Sequence, residues 1–265
     1  MSQLHIERRG ALAVVRLNRA EKRNALSFDL LAELKRAARE LGKDRGLRGV
    51  MLCGAGPAFC AGIDLGELGN PRNRAFAFWE LIRPGRSLFQ QAMLAWRELP
   101  VPVIAALRGP CFGAGLQLAL AADLRVADPD TQLSIMEARW GLVPDMGLST
   151  TLRGLLRADV VRELTYSARQ VAAEEAHALG LLSRIAEDPE QAALDWLEAF
   201  AQRSPDALLA AKRVLNASLE RRPSRALAME KRWQLKLLLG RNRSIAVQRE
   251  REQVASDYAP RQFND

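Results

Sequence analysis

The sequence predicts an α/β fold built from repeating strand–strand–helix units and closed at its C-terminus by a helical region. Three observations carry that expectation. Short apolar stretches such as Gly49–Cys53 and Val101–Leu107 read as buried strands, and each runs into a glycine-rich turn with a helix beyond it. The order strand, strand, helix returns roughly every 40 to 60 residues, although the units share no obvious sequence. From Thr150 onward the pattern is mostly helical, with one short apolar stretch at Leu182–Ala186.

In chain order, Leu4–Arg8 and Ala11–Leu17 read as two strands joined at Arg9-Gly10, a hairpin start. Ser27 caps the next helix, and Asp29 in its first turn favours the positive helix end. Leu30, Leu34, Ala38 and Leu41 recur at helical spacing and give that helix a buried stripe. The strand Gly49–Cys53 ends in the loop Gly54–Gly66, after which a helical region extends to Glu98. Pro100 and Pro102 open the strand Val101–Leu107, which leads through the turn Gly109–Gly115 into a helix over Leu116–Ala122. Leu124–Ala127 and Gln132–Ile135 are strands around the turn Asp128-Pro129-Asp130. Pro189, Pro205 and Pro223 each stand where a helix begins. No low-complexity linker interrupts the chain, so the reading is a catalytic domain over residues 1–200 and a helical region over 201–265.

Composition narrows the function classes. With 265 residues, 48% of them hydrophobic, the chain can bury one substantial core. No apolar run approaches ~20 residues, so no membrane-spanning helix is expected. Met1–Gly10 is polar and alternating, unlike a secretory signal. Cys53, Cys60 and Cys111 are odd in number and lack C-x-x-C spacing, which suits a reducing cytoplasm and argues against a disulfide frame or a thiolate zinc site. Only His5 and His177 could supply imidazole; the first lies in a strand and the second in the helical stretch Ala172–Leu179, so the expectation is metal-free chemistry. The net charge of +8 comes with arginine scattered along the chain, which places solvated surface first, a phosphate-bearing substrate second and nucleic acid last.

Two glycine-rich turns follow buried strands and lead into helices: Phe59-Cys60-Ala61-Gly62-Ile63-Asp64-Leu65 and Gly113-Ala114-Gly115-Leu116-Gln117. Glycine lets backbone approach a ligand closely, and a helix that starts there leaves its first amides unpaired. Two such turns brought together would aim two N–H groups at one oxygen, the requirement of an enolate or tetrahedral oxyanion. Gly113-x-Gly115 fails as a dinucleotide fingerprint because Leu118 occupies the third glycine's place, and neither a phosphate loop nor a G-x-S-x-G elbow is present. A single glycine turn of this kind is more often structural than functional.

The order Arg19-x-x-x-Arg23-Asn24-Ala25-Leu26, then the turn at 59–65, then Gly113-Ala114-Gly115, then Gly141-Leu142-Val143-Pro144 resembles the crotonase (enoyl-CoA hydratase/isomerase) superfamily from about Leu12 to Ala186. The resemblance implies a crotonase-like, ClpP-type spiral of β-β-α units whose C-terminal helices assemble homotrimers, often paired into hexamers. It implies that the amides of Ile63 and Ala114 bind the thioester oxygen of an acyl-CoA, with coenzyme A part of the substrate and no separate cofactor. It places Ala61, Ile63, Asp64, Leu65 and Gly66 along the substrate, and Ala25, between Asn24 and Leu26, beside the coenzyme A. Many relatives have lysine where Gly66 stands, and Asp64 can equally cap the helix that follows.

Thioester stabilisation acidifies the adjacent carbon, yet a positioned base must still move the proton. Hydratases of the family resemble one another in having two glutamates; here the matching positions hold Gln117 and Glu137. A neutral amide can orient water but cannot accept its proton near neutral pH. Glu137 alone suffices for double-bond isomerisation, and single-glutamate isomerases of the family use its position. Asp145 stands where hydratases mostly have glycine and where dienoyl-CoA isomerases have aspartate, although those enzymes also carry an acid at the position of Gln117. Glu137 is read as the catalytic residue rather than a surface ion-pair partner. Asp145 is balanced between a second acid/base and a helix cap, and Gln117 is a polar pocket residue. Cys60 is read as packing. The aromatic residues Phe76, Phe78 and Trp79, within Gly69–Arg86, are expected to shape the acyl pocket.

The function expected is therefore an enoyl- or dienoyl-CoA isomerase, with 2-enoyl-CoA hydratase as runner-up. A third class is an RNA binder. One hydratase relative binds AU-rich RNA through a basic helix, and Lys35, Arg39 and Lys43 share a helix face with Arg36 nearby. No aromatic residues interleave there for base stacking, so this reading ranks last.

Overall fold

In the computed structural model the described residues are 2–220, 223–252 and 257–263. Strand β1 (Leu4–Arg9) turns at Gly10 and pairs antiparallel with β2 (Leu12–Leu17). Helix α1 (Phe28–Lys43) then crosses to β3 (Gly49–Gly54), which lies parallel to β2. Ser27 Oγ accepts from the Leu30 amide at 3.1 Å and so satisfies one of the orphan donors at the start of α1. Leu30, Leu34, Ala38 and Leu41 are all buried, as their spacing requires.

The helical region expected up to Glu98 is three helices, α2 (Leu65–Gly69), α3 (Pro71–Ile82) and α4 (Leu88–Arg97). Asn70 caps α3 ahead of Pro71, and a reciprocal Ser87–Gln90 capping box restarts the chain at α4. Next come β4 (Val103–Leu107), β5 (Pro110–Phe112), α5 (Ala114–Ala121), β6 (Leu124–Ala127) and β7 (Gln132–Ser134). Two sequence expectations are corrected here. The turn Gly109–Gly115 contains a strand, β5, and α5 begins at Ala114 rather than Leu116. Every residue of α5 is buried, so no polar face marks its start in the sequence.

The chain continues through α6 (Leu148–Thr151), α7 (Ala158–Ser167), β8 (Val171–Ala172), α8 (Ala173–Leu179), β9 (Arg184–Ile185) and α9 (Pro189–Ala201). It ends in α10 (Pro205–Glu220), α11 (Pro223–Leu238) and α12 (Arg241–Glu252), so each of the three prolines opens a helix. The large sheet has the order β1-β2-β3-β4-β6-β9 and the small one β5-β7-β8. The strands β6 and β7 around Asp128-Pro129-Asp130 do not form a hairpin. They lie in different sheets, β6 beside β4 and β9, β7 beside β5 and β8. The units β4-β5-α5 and β6-β7 thus each give one strand to each sheet, which winds the chain as a spiral of the expected α/β type.

The large sheet is covered on both faces. Leu30, Leu34, Trp96 and Val50 belong to the main core on one side. Leu194 and Leu197 of α9 pack against Leu12, Val14, Met51, Ile104 and Val126 on the other. Double burial explains why β3 and β4 read as unbroken apolar runs. The last helices have a small core of their own, around Leu209, Ala210 and Trp233. Lys212 ties α10 to the sheet: its buried ammonium donates to the Val101 carbonyl at 2.9 Å and to Asp123 at 2.7 Å. Of the C-terminal apolar residues, Leu209 is fully buried, whereas Leu215, Leu235, Leu238 and Leu239 stand exposed. Among the described residues no helix is long and apolar enough to cross a membrane.

Candidate active site

The two glycine-rich turns meet. Cys60 forms a parallel bridge with Cys111, its amide donating to the Pro110 carbonyl at 3.1 Å and its carbonyl accepting from the Phe112 amide at 3.0 Å. Gly62 follows at φ +106°, where a side chain would be strained, and a Cβ there would come within 3.2 Å of the Phe112 carbonyl oxygen. The same Cβ would lie 3.9 Å from the Ala114 nitrogen, so the turns are in contact at this point.

Local pairing directs the amide of Ile63. Gly62 and Asp64 are both engaged by Leu26, through Leu26 N to Gly62 O at 2.8 Å and Asp64 N to Leu26 O at 2.9 Å. In a parallel bridge the intervening residue points its N–H the other way, away from Leu26. Ala114 is the first residue of α5, where an amide has no partner within the helix. Among the described residues neither amide donates a hydrogen bond, and both residues line one cavity of about 300 Å³.

That cavity also holds Gln117, Glu137 and Asp145, with Ala61 and Leu65 in its wall. Glu137 opens a 3₁₀ turn, Glu137–Trp140, which Ile135 and Met136 join to β7. One of its oxygens, Oε1, accepts from Gln117 Nε2 at 2.7 Å; the other, Oε2, is buried and has no partner among the described residues. Burial pushes the Glu137 carboxyl above the usual range and the nearby Asp145 charge adds to this, while the backbone amide of Glu137, the bond from Gln117 and the Met136 amide oppose it. Asp145 lies in the lining but is solvent-exposed as a residue, which puts it at the rim, and partial burial of its carboxyl raises it as well. It does not cap a helix, since Gly147 stands at the N-cap of α6. Among the described residues Glu137 and Asp145 are the only ionisable ones in the lining.

Three substrate residues expected from the sequence lie outside the cavity. Asp64 caps α2 by accepting from the Gly66 amide at 3.0 Å and pairs with Arg19 at 3.0 Å. Ala25 offers its carbonyl to Arg19 at 2.5 Å, and Gly66 is exposed. The expected aromatic trio is corrected too: from α3 it is Ala77 and Leu81 that line the cavity, while Phe78 and Trp79 face outward and Phe76 packs against Phe28. Sequence reasoning missed Phe28, Phe89, Met136, Trp140 and Met146 as lining residues. Only Trp140 gave a signal, as an apolar residue beside Leu142-Val143 in an otherwise polar segment. Cys60 is fully buried and its thiol is pushed up to about 12, so it packs rather than reacts. No cluster of residues able to hold a metal occurs among the described residues.

Known proteins resemble this chain in both sequence and fold. The sequence model described as enoyl-CoA hydratase/isomerase matches residues 7–255. The mitochondrial methylglutaconyl-CoA hydratase of Mus musculus is 34% identical over 224 residues, covering 82% of this chain and 69% of that protein. The mitochondrial Delta(3,5)-Delta(2,4)-dienoyl-CoA isomerase of Mus musculus is also 34% identical, over 234 residues, covering 84% of this chain and 71% of that protein. The crystal structure of an enoyl-CoA hydratase from Bacillus anthracis superposes with a TM-score of 0.89 at 28% identity, covering 97% of this chain and 99% of its own.

Proposed function

Because the chain belongs to the enoyl-CoA hydratase/isomerase family, and so is an enzyme of the acyl-CoA hydratase/isomerase type, we propose that it moves a double bond in an enoyl- or dienoyl-CoA. One observation carries the reading: Glu137 faces a neutral amide, Gln117, while the only other carboxylate of the cavity, Asp145, lies at the rim. The Ile63 and Ala114 amides receive the thioester oxygen as negative charge develops on it. Glu137 Oε2 takes the proton from the carbon next to the carbonyl. In a 3-enoyl substrate Glu137 returns that proton two carbons along the chain. In a 3,5-dienoyl substrate the receiving carbon is four away; Asp145, protonated beforehand, delivers its proton there, and exchange with solvent then returns Glu137 to the carboxylate and Asp145 to the acid. The shift is redox-neutral and coenzyme A travels with the substrate, so no cofactor takes part.

Equal identity to a hydratase and to an isomerase does not separate the two reactions, but the lining does bear on substrate. A methylglutaconyl chain ends in a free carboxylate, which here would meet Glu137 and Asp145 with no cation among the described residues of the wall. The alternative that remains is hydration of an uncharged 2-enoyl-CoA, with Glu137 activating water. The test is kcat/KM for 2-enoyl, 3-enoyl and 3,5-dienoyl thioesters of equal chain length. Double-bond migration should outrun hydration, and Asp145→Asn should damage the dienoyl reaction more than the 3-enoyl shift. Hydration faster than both isomerisations in the unmodified protein would overturn the proposal in favour of the hydratase.

The working form of this reading is a homotrimer or hexamer in the cytoplasm. Exposed Leu215, Leu235, Leu238 and Leu239 leave apolar surface on the last helices, and Trp140, Leu142 and Val143 do so at the cavity mouth. Three free, buried cysteines suit a reducing compartment. Light scattering at micromolar concentration should give a mass that is a multiple of three chains; a monomer mass would contradict it.

A further inference from the structure

We propose that Gln117 is a positioning residue that fixes Glu137 and the Asp145 segment relative to each other and leaves one chosen oxygen of Glu137 to act as the base. The inference rests on the isomerase reading for its reaction but on two hydrogen bonds of Gln117 for its geometry. The Met146 amide donates to Gln117 Oε1 at 2.9 Å, and Gln117 Nε2 donates to Glu137 Oε1 at 2.7 Å. A backbone N–H can only donate, so the first bond settles which end of the side-chain amide is oxygen. The other end is then an NH₂ group, which can only donate, and Glu137 Oε1 must accept.

Two consequences follow. Glu137 Oε1 is occupied as an acceptor, so the oxygen left to gain or lose a proton is Oε2, the buried atom without a partner among the described residues. Met146 directly follows Asp145, so one side chain sets the spacing of both carboxylates, Glu137 through its oxygen and Asp145 through the chain. Gln117 is only 2% exposed, in a helix buried along its whole length, which leaves the side chain little freedom to rearrange.

The charges around Glu137 are few. Asp145 is the only other ionisable group in the lining. Helix α7 packs on the 3₁₀ turn but directs its own charges elsewhere: Asp159 pairs with Arg157, Glu163 with Arg169, and Arg162 reaches the Ala158 carbonyl. Arg139, on the turn itself, is exposed. Donation from Gln117 stabilises the ionised form of Glu137, so its loss raises the pKa of the base, and activity then fails at a higher pH as pH falls.

The experiment is the pH profile of kcat/KM on a 3-enoyl-CoA for the parent protein, Gln117→Met and Gln117→Glu. Methionine keeps the volume and removes both bonds; the acid limb should move up by about one pH unit, with KM within about twofold. Glutamate keeps the acceptor for the Met146 amide and donates only while the new carboxyl pair holds one proton. It should therefore recover turnover lost in Gln117→Met and add an alkaline limb as that last proton leaves. An acid limb that stays in place in Gln117→Met, with equal loss at every pH, would show a merely structural role and overturn the proposal, as would a Gln117→Glu profile without the alkaline limb. Should the parent protein hydrate faster than it isomerises, the same profiles read on hydration test Gln117 independently of the reaction assigned.

Discussion

Glu137→Gln is expected to lower kcat by about 10²–10⁴-fold while leaving acyl-CoA binding nearly unchanged. The substitution keeps shape and can keep the contact with Gln117, because the new side-chain oxygen still accepts from Nε2 in place of Oε1. What disappears is the second oxygen, Oε2, the one buried atom of the carboxylate with no partner in the folded chain. An NH₂ group in its place carries no basic lone pair, so the proton beside the thioester has nowhere to go. On the proposed reading binding rests on the apolar wall and on the turn amides, which the change does not touch. The parent enzyme should work above the raised pKa of Glu137 and fail as pH falls through it, since only the carboxylate accepts a proton. Burial, the main cause of the shift, places that limb above the ordinary carboxylate range. The variant should show uniformly low turnover instead. Steady-state kcat, with calorimetric titration of a saturated acyl-CoA, measures the two effects separately. Retention of more than about a tenth of the activity would remove Glu137 from the mechanism.

Much of this architecture is legible in the sequence, and the failures have physical causes. The stripe on α1 and the prolines that open α9, α10 and α11 are local signals, and the structure follows them. Helix α5 starts earlier than the hydropathy indicates because all its faces are buried, which erases periodicity. Strand β5 hides among glycines because only three residues pair, and their partner β7 lies beyond the next helix. Nothing local distinguishes a hairpin from two strands in different sheets, so the parting of β6 and β7 could not be read. The resemblance named Ile63, Ala114, Gln117, Glu137 and Asp145, and these five share one cavity. On α3 hydrophobicity singled out Phe78 and Trp79, but the helix turns Ala77 and Leu81 inward instead. The tie between Gln117 and the Met146 amide was beyond sequence reasoning, because every residue has a backbone amide and only folding selects one of them.

Replacing Ala114 with proline is expected to lower kcat by about 10²–10³-fold without unfolding the protein. The substitution is an unusually clean way to delete a backbone donor. Ala114 is the first residue of α5, where proline is tolerated because the missing N–H would have had no helical partner. A residue before proline prefers an extended conformation. Gly113, at φ +51° and ψ −120°, holds the mirror image of one, which glycine adopts without strain. The bonds that fix the turn are unaffected: Gly113 N still reaches the Ser134 carbonyl, and Gln117 N still closes the first helical turn on Gly113 O. The change is therefore confined to the N–H that faces the cavity, where a ring carbon takes the place of the proton. If that amide shares the thioester oxygen with Ile63, the developing enolate loses one of its two donors, and the penalty falls on kcat. The acid limb should stay where it was, because Glu137 and Gln117 keep their contact, and this separates the effect from loss of the base. The thermal midpoint should fall by only a few degrees, for a cost of about 1 kcal/mol. A folded variant with kcat within about threefold of the parent would show that the Ala114 amide is not an oxyanion donor, whatever the geometry of the turn.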